Sequence, residues 1–274
     1  MGLTVAAGCG DDSPGTDSGN DSGTGAESSS GGEVTPPASS SGADSSSGGG
    51  EMGMDDTSTG SAPVEVTVEG EVADLVPPSL PIPDAVIGVY GDDTLTATSN
   101  AGGLYSIGPF APDMWATMVL EPSTEYQGSV IAVNIGNAPE QEDQLAQIGR
   151  ATIVDQIDGL ESQMPADVDL SQAIIIVRLI TPFVINEGGP VRVTMDPPPV
   201  PDTYYAPDAS FAPVLNSSEL AFAGLPVVVY FNVVPDEPGA YSFTFEHDTS
   251  ICTSVYDELP TLGDHVTLIN VTCE

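Results

Sequence analysis

From Val64 onward the chain alternates apolar and polar side chains, the signature of strands buried on one face. Val64-Glu65-Val66-Thr67-Val68-Glu69, continued by Gly70-Glu71-Val72, predicts a first strand. Pro77, Pro78, Pro81 and Pro83 then interrupt any regular ladder. Residues 85–90 predict a second strand, closed by Gly91-Asp92-Asp93, and residues 95–98 a third. Ser99-Asn100-Ala101-Gly102-Gly103 supplies residues that tolerate positive φ, so a hairpin turn is expected there, leading into a strand at 104–107. Residues 114–120 and 129–133 give two more. Short strands at this spacing, with turn residues between them, predict an antiparallel β-sandwich over residues 63–136.

The periodicity changes at Asn137. Asn137-Ala138-Pro139-Glu140 has the layout of a capping box. Leu145, Ile148, Thr152, Ile157, Leu160 and Met164 then recur at helical spacing, and Ile153 and Val154 widen the face. A helical bridge over residues 137–171 is expected, with its apolar face packed on a sheet. Gly149 and Gly159 each cost about 1 kcal/mol relative to Ala inside a helix, which allows a break near Gly159. Residues 172–274 return to strands. Ala173-Ile174-Ile175-Ile176-Val177 is nearly continuous and β-branched, the composition of a strand covered on both faces. Further strands are expected at 189–194, 219–223, 227–233, 240–245, 252–256 and 266–273, around a Pro-rich insert at 197–213 that carries Tyr204-Tyr205. The expected fold is mainly β: two antiparallel β-sandwich domains joined by one amphipathic helix.

Ahead of these elements the composition is different. Residues 10–62 are dominated by Ser, Gly and Asp, and Val34 is the exception to an absence of aromatic and branched apolar side chains. Such a segment buries too little apolar surface to offset chain entropy, so a disordered tether is expected. Its reach is roughly 40 Å by random-coil scaling. The whole chain carries 41 acidic against 3 basic residues, a formal charge of -38, and the basic residues are Arg150, Arg178 and Arg192, with no Lys. Nucleic-acid binding, which needs cations to displace phosphate counterions, is excluded as a function class. Attraction to anionic lipid headgroups is unfavourable for the same reason.

Residues 1–9 end a short apolar run in Ala6-Ala7-Gly8-Cys9, and the Ser/Gly/Asp-rich stretch begins directly after Cys9. Small residues before a cysteine, followed by a flexible tether and a folded cargo, resemble a bacterial lipoprotein with its lipobox. The resemblance implies a truncated signal peptide over 1–9 and lipidation of Cys9. It also implies anchoring to a membrane of the cell envelope, at the outer membrane or cell surface of a Gram-negative bacterium. The run before Cys9 is shorter than the roughly 7–15 apolar residues of a signal peptide core and has no Lys or Arg. The alternative is a disordered N-terminus with a free thiol. Acylation of Cys9 would leave Cys252 and Cys273 as a pair, and an exported compartment permits a disulfide between them. Strands at 251–256 and 265–273, folded back antiparallel around Pro260 and Gly263, would place Cys252 opposite the region of Cys273. Two unpaired buried thiols are the alternative.

A second resemblance lies in the first folded segment. Gly70-Glu71-Val72, Pro81-Ile82-Pro83-Asp84-Ala85-Val86, Thr96 and Thr98, then Gly103-Leu104-Tyr105 follow one another in the order and spacing of carboxypeptidase regulatory-like domains. That family has a transthyretin-like β-sandwich, and the resemblance implies a non-catalytic accessory or binding module. Phe231-Asn232-Val233-Val234-Pro235 and Pro238-Gly239-Ala240-Tyr241 resemble the late strands of the same domain. The two segments therefore read as diverged copies of one sandwich.

Catalytic motifs are missing. There is no Gly-x-Ser-x-Gly elbow and no His-Glu-x-x-His helix. His247 and His265 are the two histidines, each beside an acid, and two His with an acid have the donor types of a zinc site. Solvated loop histidines are the simpler reading, and paired carboxylates in so acidic a chain carry little information. The expectation is a membrane-tethered, non-enzymatic binding or scaffold lipoprotein with no cofactor, no metal site and no catalytic residues. A protein or a glycan is the ligand class to test for, and the oligomeric state is open. The alternative is a secreted hydrolase or metal-dependent enzyme whose site is assembled from loops.

Overall fold

The computed structural model describes residues 64–161 and 168–274. Cys9, the tether expected over residues 10–62, and Met164 lie outside them. Residues from Thr59 to Glu274 form one compact unit. In chain order its strands are β1 (Val66–Asp74), β2 (Val86–Val89), β3 (Asp92–Thr98), β4 (Leu104–Phe110), β5 (Met114–Leu120), β6 (Gly128–Ile135) and β7 (Glu140–Gln147). Helix α1 (Arg150–Glu161), β8 (Ala173–Leu179) and the short α2 (Phe183–Gly188) follow. The remainder is β9 (Val191–Asp196), β10 (Tyr204–Pro207), β11 (Pro213–Leu215), β12 (Glu219–Leu220), β13 (Val227–Val233), β14 (Ser242–Glu246), β15 (Cys252–Ser254) and β16 (His265–Cys273).

The mainly-β expectation holds, and most strand pairs are antiparallel. The strands of the two expected sandwiches, however, share one sheet. Its order is β11-β10-β13-β8-β16-β6-β5-β2-β3, with β15 also on β16. The join is β16, which runs parallel to β6 on one side and parallel to β8 on the other. A central strand flanked this way must be covered on both faces, and its sequence from His265 to Ile269 is buried without a break. The same holds for the Ala173–Val177 run of β8.

Alternate side chains of the long sheet feed two cores. Ile174, Ile176, Leu268 and Met118 face a short sheet of order β4-β1-β7 and helix α1. Ile175, Val177, Ile269 and Val228 face a third sheet, β12-β9-β14, through Val191, Val193 and Phe243.

The bridge differs from expectation. Residues 140–147 form a strand, β7, parallel to β1 along its whole length, and the helix begins only at Arg150. Glu and Gln favour helix, but β1 is paired with β4 on one edge only, and a second ladder on its open edge outweighs that propensity. The expected capping box at Asn137 and Glu140 starts no helix: Glu140 opens β7 opposite Thr67, and the adjacent Gln141 accepts from the Gly136 amide and donates to the Asn134 carbonyl. Within α1, Ile153 and Leu160 are buried as expected, whereas Val154 faces solvent.

The turn at Ser99–Gly103 also differs in role. Asn100 Oδ1 accepts from the Gly102 and Leu104 amides, and Gly103 takes the expected positive φ of 76°. Yet β3 pairs with β2 and β4 pairs with β1, so the turn carries the chain between sheets rather than closing a hairpin. Ser99 fixes the crossing, donating to the Ile82 carbonyl and accepting from the Ala85 amide. The Pro-rich insert is not irregular throughout, since Tyr204–Pro207 forms β10 against β13.

A polar clasp closes one end of the unit. Arg150, at the first turn of α1, binds Asp264 with both terminal nitrogens at 2.8 Å and Gln127 Oε1 at 2.7 Å. Its Nε donates to the Ser123 carbonyl at 2.8 Å. Gln127, fully buried, donates to Asp264 Oδ1 and to the Leu170 carbonyl. Backbone bonds join the same segments: the Gly128 amide donates to the Asp264 carbonyl, and the Arg150 amide to the Glu125 carbonyl. The segments entering β6, α1, β8 and β16 are thus held at one point. The Arg150 guanidinium holds the Asp264 carboxyl below the usual range, and Asp264 in turn raises Arg150.

Because Asp264 has a lowered folded pKa, its contribution is present above its unfolded pKa and is lost as pH falls through the folded value. Arg150→Gln is expected to cost about 2 kcal/mol in denaturant unfolding at pH 7, less than a fully buried pair because the Asp264 side chain stays 37% exposed. Asp264→Asn should be less than additive with it. The difference between wild type and Asp264→Asn should shrink as pH is taken below about 4.

Candidate functional site

The two cysteines of the C-terminal segment are bonded. Cys252 on β15 lies directly opposite Cys273 on β16, with Cα atoms 4.1 Å apart. Ile251 and Glu274 exchange both backbone hydrogen bonds, which makes the cysteine pair the neighbouring non-hydrogen-bonded one, where facing strands come closest. Cys9 lies outside the described residues.

The two histidines are separately folded in. His265 Nδ1 lies 2.7 Å from the Gly263 carbonyl, and its ring packs against Gly128, where a Cβ would come within 2.4 Å of it. His247 Nδ1 accepts from the Ser250 amide at 3.1 Å, and its ring packs against Gly188. Nε2 of each is buried with no hydrogen-bond partner. Among the described residues no group of three or more His, Cys, Asp or Glu is placed to hold a metal ion.

Recesses of ligand size among the described residues include one of about 140 Å³ bordered by Pro197, Pro199, Tyr230 and Tyr241, and two others of contrasting character. One, of about 480 Å³, is a shallow acidic groove over β1, bordered by Glu69, Glu71, Glu142 and Asp143. It exists because β1 and β7 approach closely at Gly70, where a Cβ would lie 1.7 Å from the Asp143 carbonyl oxygen. Tyr105 donates its hydroxyl to that same carbonyl at 3.0 Å. Burial pushes the Asp143 carboxyl up. Like charges around an open groove repel one another, and no Lys, Arg or His lines it.

The other recess, of about 160 Å³, is apolar and more enclosed. It lies between α1 and the face of the long sheet that carries Ile176 and Val229, with Leu225 and Phe211 bordering it. A deeper recess of about 30 Å³ adjoins it and shares Ile148, Ile176, Tyr205 and Val229. No Asp or Glu lines either one, in a chain with 41 of them. Four polar side chains line the larger of the two, Thr152 and Gln156 from α1 and Arg178 and Tyr205 from the sheet. Arg178 continues the row of Ile174 and Ile176 along β8, and its Nε donates to Asn270 Oδ1 at 3.1 Å. Tyr205, buried on β10, has no hydrogen-bond partner for its hydroxyl among the described residues. Burial pushes the Tyr205 phenol up and the Arg178 guanidinium down, though an arginine stays charged. The sequence signal for this site was Arg178 itself, a cation placed directly after five apolar residues of a buried strand.

No protein family's sequence profile matches the chain, and no curated protein matches it. Among solved structures, 77% of the chain is similar to the TIE protein of Bacillus anthracis, at 9% identity and a TM-score of 0.27. The match spans about a third of that protein's length, 34%. The chain is also similar to the shaft pilin spaA of Lactobacillus rhamnosus GG, over 77% of this chain and 98% of that one, at 7% identity and a TM-score of 0.24. Likeness of this degree assigns no function.

Two outcomes follow from the disulfide and from Gly70. Protein from an oxidising compartment should show no free thiol at Cys252 or Cys273 by alkylation and mass spectrometry, and reduction should lower stability by about 3 kcal/mol. Gly70→Ala should cost about 3 kcal/mol in denaturant unfolding, because two backbones would have to separate. Gly91→Ala, at a φ of 83° with open space around it, should cost only about 1 kcal/mol.

Proposed function

We propose that the protein is an exported lipoprotein of non-enzymatic binding or scaffold type, tethered through lipid on Cys9 to a membrane of the cell envelope, with the apolar recess under α1 as its binding site. The observation that carries this reading is the Cys252–Cys273 disulfide, since such bonds persist in oxidising, exported compartments. The Ala7-Gly8-Cys9 run, with the abrupt Ser/Gly/Asp-rich stretch after it, supplies the means of attachment. The order of Gly70-Glu71-Val72, Pro81-Ile82-Pro83-Asp84-Ala85-Val86 and Gly103-Leu104-Tyr105, which resembles a carboxypeptidase regulatory-like module, supports an accessory rather than a catalytic unit. The folded-in positions of His247 and His265 favour the same non-enzymatic reading. An outer-membrane or cell-surface location in a Gram-negative cell fits the acidic, Lys-free composition of a chain with no peripheral affinity for anionic lipid.

The test is Cys9→Ser in the native gene. Release of the protein from the membrane fraction and loss of labelling by a clickable fatty acid are the expected results. Unchanged fractionation and labelling would overturn the anchor.

A further inference from the structure

We infer that the recess under α1 takes a small monocarboxylate with an apolar body, its carboxylate paired with Arg178. This rests on the reading of that recess as a binding site and names the class of ligand.

The chain holds three arginines. Arg150 is paired with Asp264 at 2.8 Å, and Arg192 with Glu219 at 3.3 Å. Arg178 has no carboxylate within ion-pair distance among the described residues, although acids outnumber arginines by 41 to 3. Its one hydrogen bond uses Nε, so the two terminal nitrogens keep their donors unassigned. A guanidinium presents those donors as a planar fork that matches a carboxylate. Arg178 is half-buried, so its guanidinium loses part of its hydration while its terminal nitrogens stay accessible, and this wall offers no acid to pair with them. The unpartnered Tyr205 hydroxyl in the same wall is a further donor.

The rest of the wall defines the ligand's body. Ile148, Ile176, Leu225, Val227 and Val229 are aliphatic, and Phe211 stands exposed at the border. A cavity of about 150 Å³ accommodates one benzene ring. A recess of about 160 Å³ therefore takes one aromatic ring or an alkyl chain of about six to eight carbons, with the opening free to pass any remainder. An apolar recess with a few convergent polar groups is the usual form of a small-molecule site. Cationic ligands are disfavoured by Arg178, and sugars by the aliphatic side chains that make up most of the wall beside Thr152, Gln156, Arg178 and Tyr205.

Isothermal titration calorimetry of the folded chain tests this at about 0.15 M salt, where the net negative charge is screened beyond about 8 Å. Octanoate, 3-phenylpropionate, 1-octanol and octylamine are the probes, and the first two distinguish a fatty-acid-type body from an aryl one. One-to-one binding of at least one carboxylate is expected, with 1-octanol weaker by about tenfold or more and octylamine not bound. Arg178→Gln should weaken carboxylate binding by about tenfold or more, and Tyr205→Phe by about fivefold. Thr152→Trp, which fills the recess from α1 and leaves Arg178 in place, should abolish binding. It keeps the test open if Arg178→Gln does not fold. Equal binding of octanoate and 1-octanol, unaffected by Arg178→Gln, would overturn the carboxylate assignment while leaving the recess a binding site. No binding of any probe at millimolar concentration would overturn both, without bearing on anchoring at Cys9.

Discussion

Everything else in the folded unit depends on the contact between Arg150 and Asp264. The long sheet is assembled from segments that are remote in sequence, and its central strand, β16, arrives last in the chain. Hydrophobic burial supplies most of the driving force but does not choose register, because a strand covered on both faces is apolar at every position. The clasp makes that choice. A bidentate pair backed by the buried Gln127 has one geometry, and it fixes the start of α1, the entry to β6 and the entry to β16 relative to one another. In a chain with so few cations, spending one on this contact leaves little redundancy.

The same scarcity gives Arg178 its meaning. Charges inside proteins are tolerated where they are paired, and a cation beside a core normally finds a carboxylate. Here the fold places it at the end of an aliphatic row, next to Asn270, in a wall free of acids. The acidic groove over β1 is larger but has the opposite character, with carboxylates that repel one another and no cation among its lining residues. Between the two, size favours the groove and chemistry favours the recess. Chemistry is the better guide, because an open acidic surface is what this composition produces everywhere.

Much of the fold was legible in the sequence. β1, β5, β8, β13 and β16 follow from alternation or from continuous apolar runs, and the cysteine pairing from a Pro- and Gly-containing connection between two strands. What was not legible was the partnering. Residues 140–147 read as helix from the apparent capping box at Asn137 and the helical spacing of Leu145, Ile148 and Thr152, and nothing local announces that β1 has an open edge to fill. The Ser99–Gly103 turn was recognised, but the sheet change it makes depends on Ser99 reaching Ile82, a contact with no sequence signature. Gln127, Arg150 and Asp264 give no sign of one another; the last two are 114 residues apart. Arg178 was noted in the sequence only as one of three basic residues, and its lack of an acid partner among the described residues is a property of the fold alone.

The parallel placement of β16 between β6 and β8 has a consequence for how the protein is made. Every residue from β6 to His265 must be synthesised before the middle of the long sheet exists. Until then β6 and β8 each lack a neighbour, and the clasp lacks its acid. Non-local, parallel pairing of this kind forms slowly. While those edges are open, the high charge of the chain opposes aggregation. The long sheet closes only once β16 has been made, so its two halves are joined by their most distant partner.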